Sequence, residues 1–529
     1  MAGSDTLQLA RRLGWLDPRQ IGATTAGLGR WGPTMASLSA TAAIRHGGRT
    51  AVIDGRGELT YRELDRRTSA LARGLRDLGF GGGDHLGVLC LNHRDFVEIS
   101  IAAAKAGPTV VYLNTGFAPR QLGEVCAREG IGIVVVDAEL LPIVEGSGFD
   151  GTVVVADGDP GRHRSIDELR GAGAGRLRMP VLPSRPTQPV LLTSGTTGTP
   201  KGARRDGRPA GLAAALGVLE RVPYEPGDIT VIPTPLFHAW GLAQLTVALS
   251  TGSTSVLVRR FDPEATFAAV EEHRATVLAV VPVMIQRMLA ADEAGARDLS
   301  SVRIVASSGS ALPAAVALEW MDRYGDHVYN LYGSTEVGQA TIADPIDLRA
   351  APGTAGRVIP GSTVEIVDER GEPVGAGVEG RIMVGNAAQF TEYTGGGTKD
   401  RVRGLMSSGD VGYFDADGRL FVTGRADDMI VSGGENVFPL EIEEVLLDHD
   451  GVEDAVVVGV PDDDFGQRLA AMIVTRDGSE LDDDAVRAIV RGQLARHKVP
   501  RDVRFVDELP RNTTGKLLRG AVAEAFATD

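Results

Sequence analysis

Residues 193–202 read Thr-Ser-Gly-Thr-Thr-Gly-Thr-Pro-Lys-Gly, a stretch of hydroxyls, glycines and one lysine with almost no apolar side chain. Gly195, Gly198 and Gly202 allow the backbone to turn its amides toward an anion. Thr193, Ser194, Thr196 and Thr197 add hydroxyl donors, and Lys201 adds a positive charge on a flexible stem. These are the properties of a phosphate-handling loop. A Walker loop is excluded, because Pro200 stands where that motif requires its second glycine. The apolar run Gln188-Pro-Val-Leu-Leu predicts a strand entering the loop, and Ala210-Gly-Leu-Ala-Ala-Ala predicts a helix beyond it.

Working outward, helix and strand signatures alternate from Thr60 to Val155. Thr60 and Glu63 have capping-box spacing, and Leu64, Leu71, Leu75 and Leu78 follow on one face. Leu86 to Leu91, Thr109 to Leu113, Ile131 to Val136 and Thr152 to Ala156 are short valine-rich runs, separated by the helix-length segments Asp95 to Ala106 and Pro119 to Glu129. This is the pattern of a parallel sheet in an α/β fold. It repeats from Ile229 to Tyr332, with strands expected at Thr230, Ser255, Val277 and Arg303. Between Gly353 and Gly424, short alternating strands with glycine turns predict antiparallel pairing. Beyond Arg425 a small unit starts: helix Leu440 to Leu447, strands near Ala455 to Val460 and Leu469 to Val474, helix Asp483 to Arg496 and strand Val503 to Val506. A domain boundary is therefore expected at about residue 425.

Bulk properties narrow the function. A chain of 529 residues is too long for one core. Its 54 Lys+Arg against 70 Asp+Glu give a net charge of −16, which repels polyanions and argues against general nucleic-acid binding. Cys90 and Cys126, both beside apolar runs, read as buried thiols in a reducing compartment, so the cytoplasm is expected. The first residues have no signal-peptide core. The longest apolar stretch, Thr276 to Ile285, is broken by Pro282 and is far shorter than the roughly 20 residues that span a bilayer.

Further polar clusters stand at the ends of expected strands, where α/β folds present ligand sites. They are Phe237-His238-Ala239-Trp240-Gly241, Asn330 through Glu336, Ser408-Gly409-Asp410, Gly424-Arg425-Ala426-Asp427-Asp428 through Gly434, and Pro510 through Lys516. With residues 193–202, and in this order, they resemble the adenylate-forming superfamily of acyl-CoA synthetases, aryl-CoA ligases, luciferases and peptide-synthetase adenylation domains. The texture is closest to fatty acyl-CoA synthetases of actinobacterial type.

The resemblance implies an α/β protein. Its large N-terminal domain (1–424) has two stacked βαβ-type subdomains and a distorted antiparallel β-barrel, and its small mobile α+β C-terminal domain spans 425–529. It implies ATP, Mg²⁺ and coenzyme A, with Thr193, Ser194, Gly195, Thr196, Thr197 and Lys201 at the phosphates, and Ser310, Ala311, Asn330, Tyr332 and Gly333 at the adenine side. Asp410 and Arg425 serve the ribose, Thr335 the α-phosphate, Glu336 the metal, and Lys516 bridges the carboxylate and the α-phosphate. His238, Trp240, Ser307, Ser308, Gly309 and Gly333 border the acid. Asp427 matches the hinge. Ser432, Gly433 and Gly434 match the strand along the thiol tunnel, although Gly433-Gly434 also reads as a plain hairpin turn.

The implied reaction is carboxylate attack on the α-phosphorus of ATP, followed by thiol attack on the acyl-adenylate. No aspartate near Phe237 is available to hold a substrate ammonium, so an acid without an α-amino group is expected. Trp240, Leu242, Leu245, Val281, Met284 and Ile285 suggest a hydrophobic tail, whether fatty, aryl or polycyclic. The thiol can belong to free CoA or to a carrier protein, and one half-reaction can dominate. Arg468, Arg491, Arg496 and Lys498 are weak candidates for a CoA nucleotide patch. Relatives are monomers or dimers.

Overall fold

The computed structural model describes residues 9, 11–13, 18–174, 187–193, 201–204, 217–292, 294–432, 435–462, 466–476, 478–512 and 515–527. Two compact units arise, one from Met1–Ala306 with Ala387–Thr398 and the other from Ser307–Asn386 with Lys399–Asp529. The boundary expected near residue 425 falls inside the second unit.

In the first unit one sheet contains β1 (Thr50–Asp54), β2 (Gly57–Thr60), β10 (Ile229–Ile232), β11 (Thr254–Leu257), β12 (Val277–Val280) and β13 (Ile304–Ser307), in the order β2-β1-β11-β10-β12-β13. A second contains β3 (His85–Leu89), β4 (Thr109–Tyr112), β5 (Ile131–Val136), β6 (Thr152–Val155), β7 (Arg164–Ser165), β8 (Val190–Thr193), β9 (Lys201–Arg204) and β19 (Glu392–Tyr393), in the order β19-β9-β8-β4-β3-β5-β6-β7. Its strands β8, β4, β3, β5, β6 and β7 run parallel. Their continuous valine and isoleucine runs follow from burial on both faces, and β5 buries every residue except Gly132.

Helix α1 (Tyr61–Asp77) falls where the 3.6-residue pattern placed it, and α2 (Arg94–Ala106) and α3 (Pro119–Glu129) occupy the expected helix-length segments, α2 starting one residue earlier. Helix α1 begins at the expected capping box: the Thr60 amide donates to Glu63 Oε2 at 2.9 Å, and the Glu63 amide donates to Thr60 Oγ1 at 3.3 Å. Leu64, Leu71 and Leu75 are then fully buried in the core between sheet and helices. The apolar run from Thr276 is divided by Pro282. It ends β12 and occupies the first turn of α5 (Pro282–Ala291), which follows α4 (Ala239–Thr251) in this numbering.

In the second unit β14 (Val328–Ser334), β15 (Gly338–Ala343) and β16 (Arg357–Val358) form an antiparallel meander. A curled antiparallel sheet follows, made of β17 (Ser362–Val367), β18 (Gly380–Asn386), β20 (Arg401–Val402), β21 (Leu405–Phe414) and β22 (Leu420–Arg425). The tail module packs α6 (Pro439–Leu447), α7 (Asp483–Gln493) and α8 (Arg519–Ala527) on a sheet of β23 (Ile430–Ser432), β24 (Glu435–Val437), β25 (Val452–Asp462), β26 (Gly466–Thr475) and β27 (Asp502–Phe505).

One boundary differs from expectation. Helix α7 stops at Gln493 rather than Arg496, and Leu494 turns extended (φ −121°, ψ 166°) and packs into the module core. Gly492 weakens the last turn, so burial of Leu494 outweighs helix continuation. Cys90 and Cys126 are free and buried. Among the described residues no helix is long and apolar enough to cross a membrane.

Candidate active site

The second unit gathers most of the expected nucleotide residues. In the β14–β15 hairpin the register opposes Gly333 to Gln339 and Ser334 to Gly338. A side chain on Gly333 would run into the Gly338 carbonyl, so glycine is required there for close backbone approach. Ser334 Oγ accepts the amides of Glu336 and Val337, each at 3.2 Å, and so fixes the tip on which Thr335 and Glu336 are half-buried.

Tyr332 leaves this hairpin and donates its hydroxyl to Asp410 Oδ2 at 2.5 Å. Burial, reinforced by the Asp410 charge, pushes the phenol well above its ordinary pKa, so it stays a donor. Asp410 lies opposite Arg425 in the β21–β22 ladder, and Arg425 Nη1 is 3.7 Å from Asp410 Oδ1. Among the described residues Arg425 Nε is buried with no hydrogen-bond partner. Ser408 Oγ accepts the Asp410 amide at 3.1 Å, and Gly409, at φ +88°, makes the turn before it.

Asn330 is buried, and its amide nitrogen is committed to the Thr354 carbonyl at 3.1 Å. Ser308 Oγ donates to the Leu331 carbonyl at 2.7 Å, whereas the Ser307 hydroxyl is buried without a partner among the described residues. Gly309 takes φ +97°, and Ser310 and Ala311 are exposed beyond it.

Lys516 joins this group. Its loop is tied by an Asn512–Lys516 exchange, with the Lys516 amide on Asn512 Oδ1 and the Asn512 amide on the Lys516 carbonyl, both at 2.9 Å. Arg511 braces the loop from beneath, donating to the Gly515 carbonyl and to Asp454, each at 2.7 Å. Burial lowers the Lys516 pKa and Arg425 acts in the same direction, while Asp428, Asp410 and Glu336 favour the ammonium. The lysine, the expected metal carboxylate and the expected ribose carboxylate therefore share one electrostatic environment.

Asp427 is exposed, in the single 3₁₀ turn Ala426–Asp428, with Arg425 Nη2 3.8 Å away. Ser432 ends β23 opposite Glu435 and Gly466. Gly433 and Gly434 lie outside the described residues. Of the four residues considered for a CoA nucleotide patch, Arg468 pairs with Asp502 at 2.6 Å and Lys498 with Glu441 at 2.5 Å.

In the first unit β8 leads into the 193–202 loop and β9 leaves it antiparallel, with Thr193 opposite Lys201. Ser194, Gly195, Thr196, Thr197 and Gly198 lie outside the described residues. Lys201 Nζ stands 5.6 Å over the Tyr393 ring. The Gly202 amide donates to Thr394 Oγ1 at 2.9 Å, and that hydroxyl donates to Glu129 at 2.6 Å.

His238 precedes α4, and its Nε2 is buried with no partner among the described residues. Burial pushes its pKa down to about 3, so the ring is neutral. The Trp240 indole donates to the Val280 carbonyl at 2.9 Å, which fixes it against the end of β12. Leu242, Leu245, Val281, Met284 and Ile285 are all buried, and Leu242 and Leu245 belong to the core cluster. Cys90, His93 and Asp137 bring ligand-type atoms within 4.8 Å of one another. His93 is already engaged there, by Asp137 at 2.8 Å and by the Asp95 amide at 3.2 Å.

Sequence reasoning assigned no role to Asp428, Arg519 or Glu443. Arg519 binds both Glu443 oxygens, at 2.6 and 2.8 Å, and lies 3.5 Å from Asp428. The available signal was an arginine three positions after Lys516, opening an apolar helix.

The family described as AMP-binding enzyme matches residues 39–394, and the one described as AMP-binding enzyme C-terminal domain matches residues 441–516. A feruloyl-CoA synthase from an Amycolatopsis species is 35% identical over 509 residues, covering 94% of this chain and 99% of its own. The fatty acid–[acyl-carrier-protein] ligase ScoC of Streptomyces coeruleorubidus is 31% identical, over 89% of this chain and 92% of its own. The crystal structure of ATP-bound MatB from Rhodopseudomonas palustris superposes with a TM-score of 0.82 at 28% identity, over 93% of this chain and 99% of that one.

Proposed function

We propose, from the premise that the chain belongs to the AMP-binding enzyme family and is an AMP-forming acyl-CoA ligase, that it activates a hydrophobic carboxylic acid lacking an α-amino group. The carboxylate attacks the α-phosphorus of ATP, a new C(O)–O–P bond forms and pyrophosphate leaves. A thiol then attacks the acyl carbonyl and AMP leaves.

In the first step two anions must meet. Lys516 offsets their repulsion, and the loop held by Arg511 and Asn512 keeps its ammonium preorganised. Asp410, oriented by Tyr332, accepts the ribose hydroxyls, and Arg425, opposite Asp410 in the β21–β22 ladder, is assigned to the same sugar. Thr335 and Glu336 present the hard oxygen donors that suit Mg²⁺, and Glu336 would hold it. A bound Mg²⁺ would neutralise phosphate charge. Ser194, Thr196, Thr197 and Lys201 are assigned to the phosphates leaving as pyrophosphate.

His238 and Trp240 are the first-unit residues assigned to the acid. A neutral histidine and a tryptophan fixed by its indole suit an uncharged, flat or extended tail. For the second step the tail module turns at Asp427, so that Lys516 withdraws and the Ser432–Gly434 strand lines the thiol path. Coenzyme A is the acceptor. Similarity to ScoC keeps a carrier-protein pantetheine as a second acceptor.

What supports this reading is that burial and Arg425 lower the Lys516 pKa, while Asp428, Asp410 and Glu336 favour its ammonium. Lys516→Ala should abolish acid-dependent pyrophosphate exchange while sparing thioester formation from supplied acyl-adenylate. Equal loss of both half-reactions would refute it. A panel of aryl, fatty and polycyclic acids, with mass detection of acyl-adenylate and acyl-CoA, identifies the substrate class.

A further inference from the structure

Three residues, Ala426, Asp427 and Asp428, connect the last rung of the β21–β22 ladder to the tail module. On the ladder side, Arg425 sits in register with Asp410, so its backbone moves with the curled sheet. On the tail side, Asp428 Oδ2 lies 3.5 Å from Arg519 Nε.

Arg519 is itself anchored by hydrogen bonds. Its Nη1 and Nη2 take the two Glu443 oxygens at 2.6 and 2.8 Å, and Nη1 also donates to the Val457 carbonyl at 2.7 Å. Glu443 is buried and accepts the Val457 amide at 2.8 Å, so α6, β25 and the start of α8 meet at one guanidinium. A guanidinium is a rigid planar fork, and with its outer nitrogens committed, the Nε edge remains for Asp428. Asp427, one residue earlier, is exposed, and Arg425 Nη2 approaches it at 3.8 Å.

We infer that Arg519 is a positioning residue that clamps the tail-side end of the hinge through Asp428, confining the turn of the small module to the backbone of Ala426 and Asp427. The inference rests on the two-step reading above and deepens it. A pivot of two residues between two anchored ends has few orientations, so each working pose costs less ordering entropy than one reached by a loose tether. Because Arg519 follows Lys516 by three residues, the group that fixes the hinge also fixes the base of the lysine loop.

The experiment measures Asp427→Pro in three backgrounds, the natural chain, Asp428→Asn and Arg519→Lys. Proline holds φ near −65°, which suits the 3₁₀ turn at Ala426–Asp428 and so freezes the present pose. In the natural background, Asp427→Pro should retain pyrophosphate exchange and lower thioester formation from supplied acyl-adenylate by about 100-fold. Asp428→Asn leaves the Glu443–Arg519 pair intact but frees residue 428 as an alternative pivot. There the same proline should cost less than about 10-fold. Arg519→Lys, which keeps the charge and loses the fork, should give the same relief. An equal block in all three backgrounds would overturn the clamp while leaving the hinge standing. No block in the natural background would overturn the hinge at Asp427, and the clamp with it.

Discussion

The hydroxyl of Tyr332 closes on the carboxylate of Asp410 at 2.5 Å, although 78 residues separate them in the chain. The contact joins the β14–β15 hairpin to the curled antiparallel sheet, and it orients the acceptor proposed for ribose before any nucleotide arrives. A hydrogen bond to a charged group contributes about 1.5–3 kcal/mol. Tyr332→Phe should therefore weaken ATP binding by about 10-fold or more, read by calorimetric titration. Unchanged ATP affinity would mean that the Tyr332 hydroxyl does not orient Asp410 for the nucleotide.

The role proposed for Lys516 sets a pH limit on the first half-reaction. Burial and Arg425 lower its pKa below the usual lysine value of 10.5, and in the proposed role the ammonium is the active form. Pyrophosphate exchange should therefore decline as pH rises, with an alkaline limb below 10.5. Asp410→Asn and Glu336→Gln each remove a charge that favours the ammonium, so each should move that limb to lower pH whatever it does to the amplitude. Thioester formation from supplied acyl-adenylate should lack the limb. The stability linkage has a matching sign. Between the lowered value and 10.5 the unfolded chain holds the extra proton, so the cost of burying the ammonium is relieved as pH rises through that window.

His238 should stay neutral throughout the working range. Its pKa is pushed down to about 3 by burial, so imidazole nitrogen resonances followed by NMR should show no titration between pH 5 and 8. A midpoint near the usual value of 6.5 would contradict the buried placement. As pH falls from 6.5 toward about 3, the unfolded chain takes up a proton that the folded chain refuses, and this contribution to stability is lost.

Gly333→Ala tests the hairpin that carries Tyr332 and Glu336. The added methyl meets the Gly338 carbonyl and comes within 2.9 Å of Gln339 Cα, both backbone atoms that cannot give way cheaply. Overpacking of this kind costs about 1–3 kcal/mol. The expected readouts are a Tm lower by about 2–10 °C and weaker ATP binding. An unshifted melt would mean that the hairpin tolerates a side chain there.

Local physics made much of this protein legible from its residues alone. The Thr60–Glu63 capping box, the valine runs of β3 to β6 and the Pro282 break each act within a few positions, so pattern and structure agree at α1, at the parallel sheet and at the β12–α5 junction. Motif order likewise pointed to the family. The sequence could not settle what depends on distant partners. Helix α7 ends early because Leu494 has a core to enter. The amide of Asn330 is taken by Thr354, and Leu242, Leu245, Val281, Met284 and Ile285, expected near the acid, are buried, two of them in the core cluster. Whether a charge is paired, buried or left with an open edge depends on which surfaces folding brings together. Arg519 was one more cation after Lys516 until Glu443, Val457 and Asp428 closed around it.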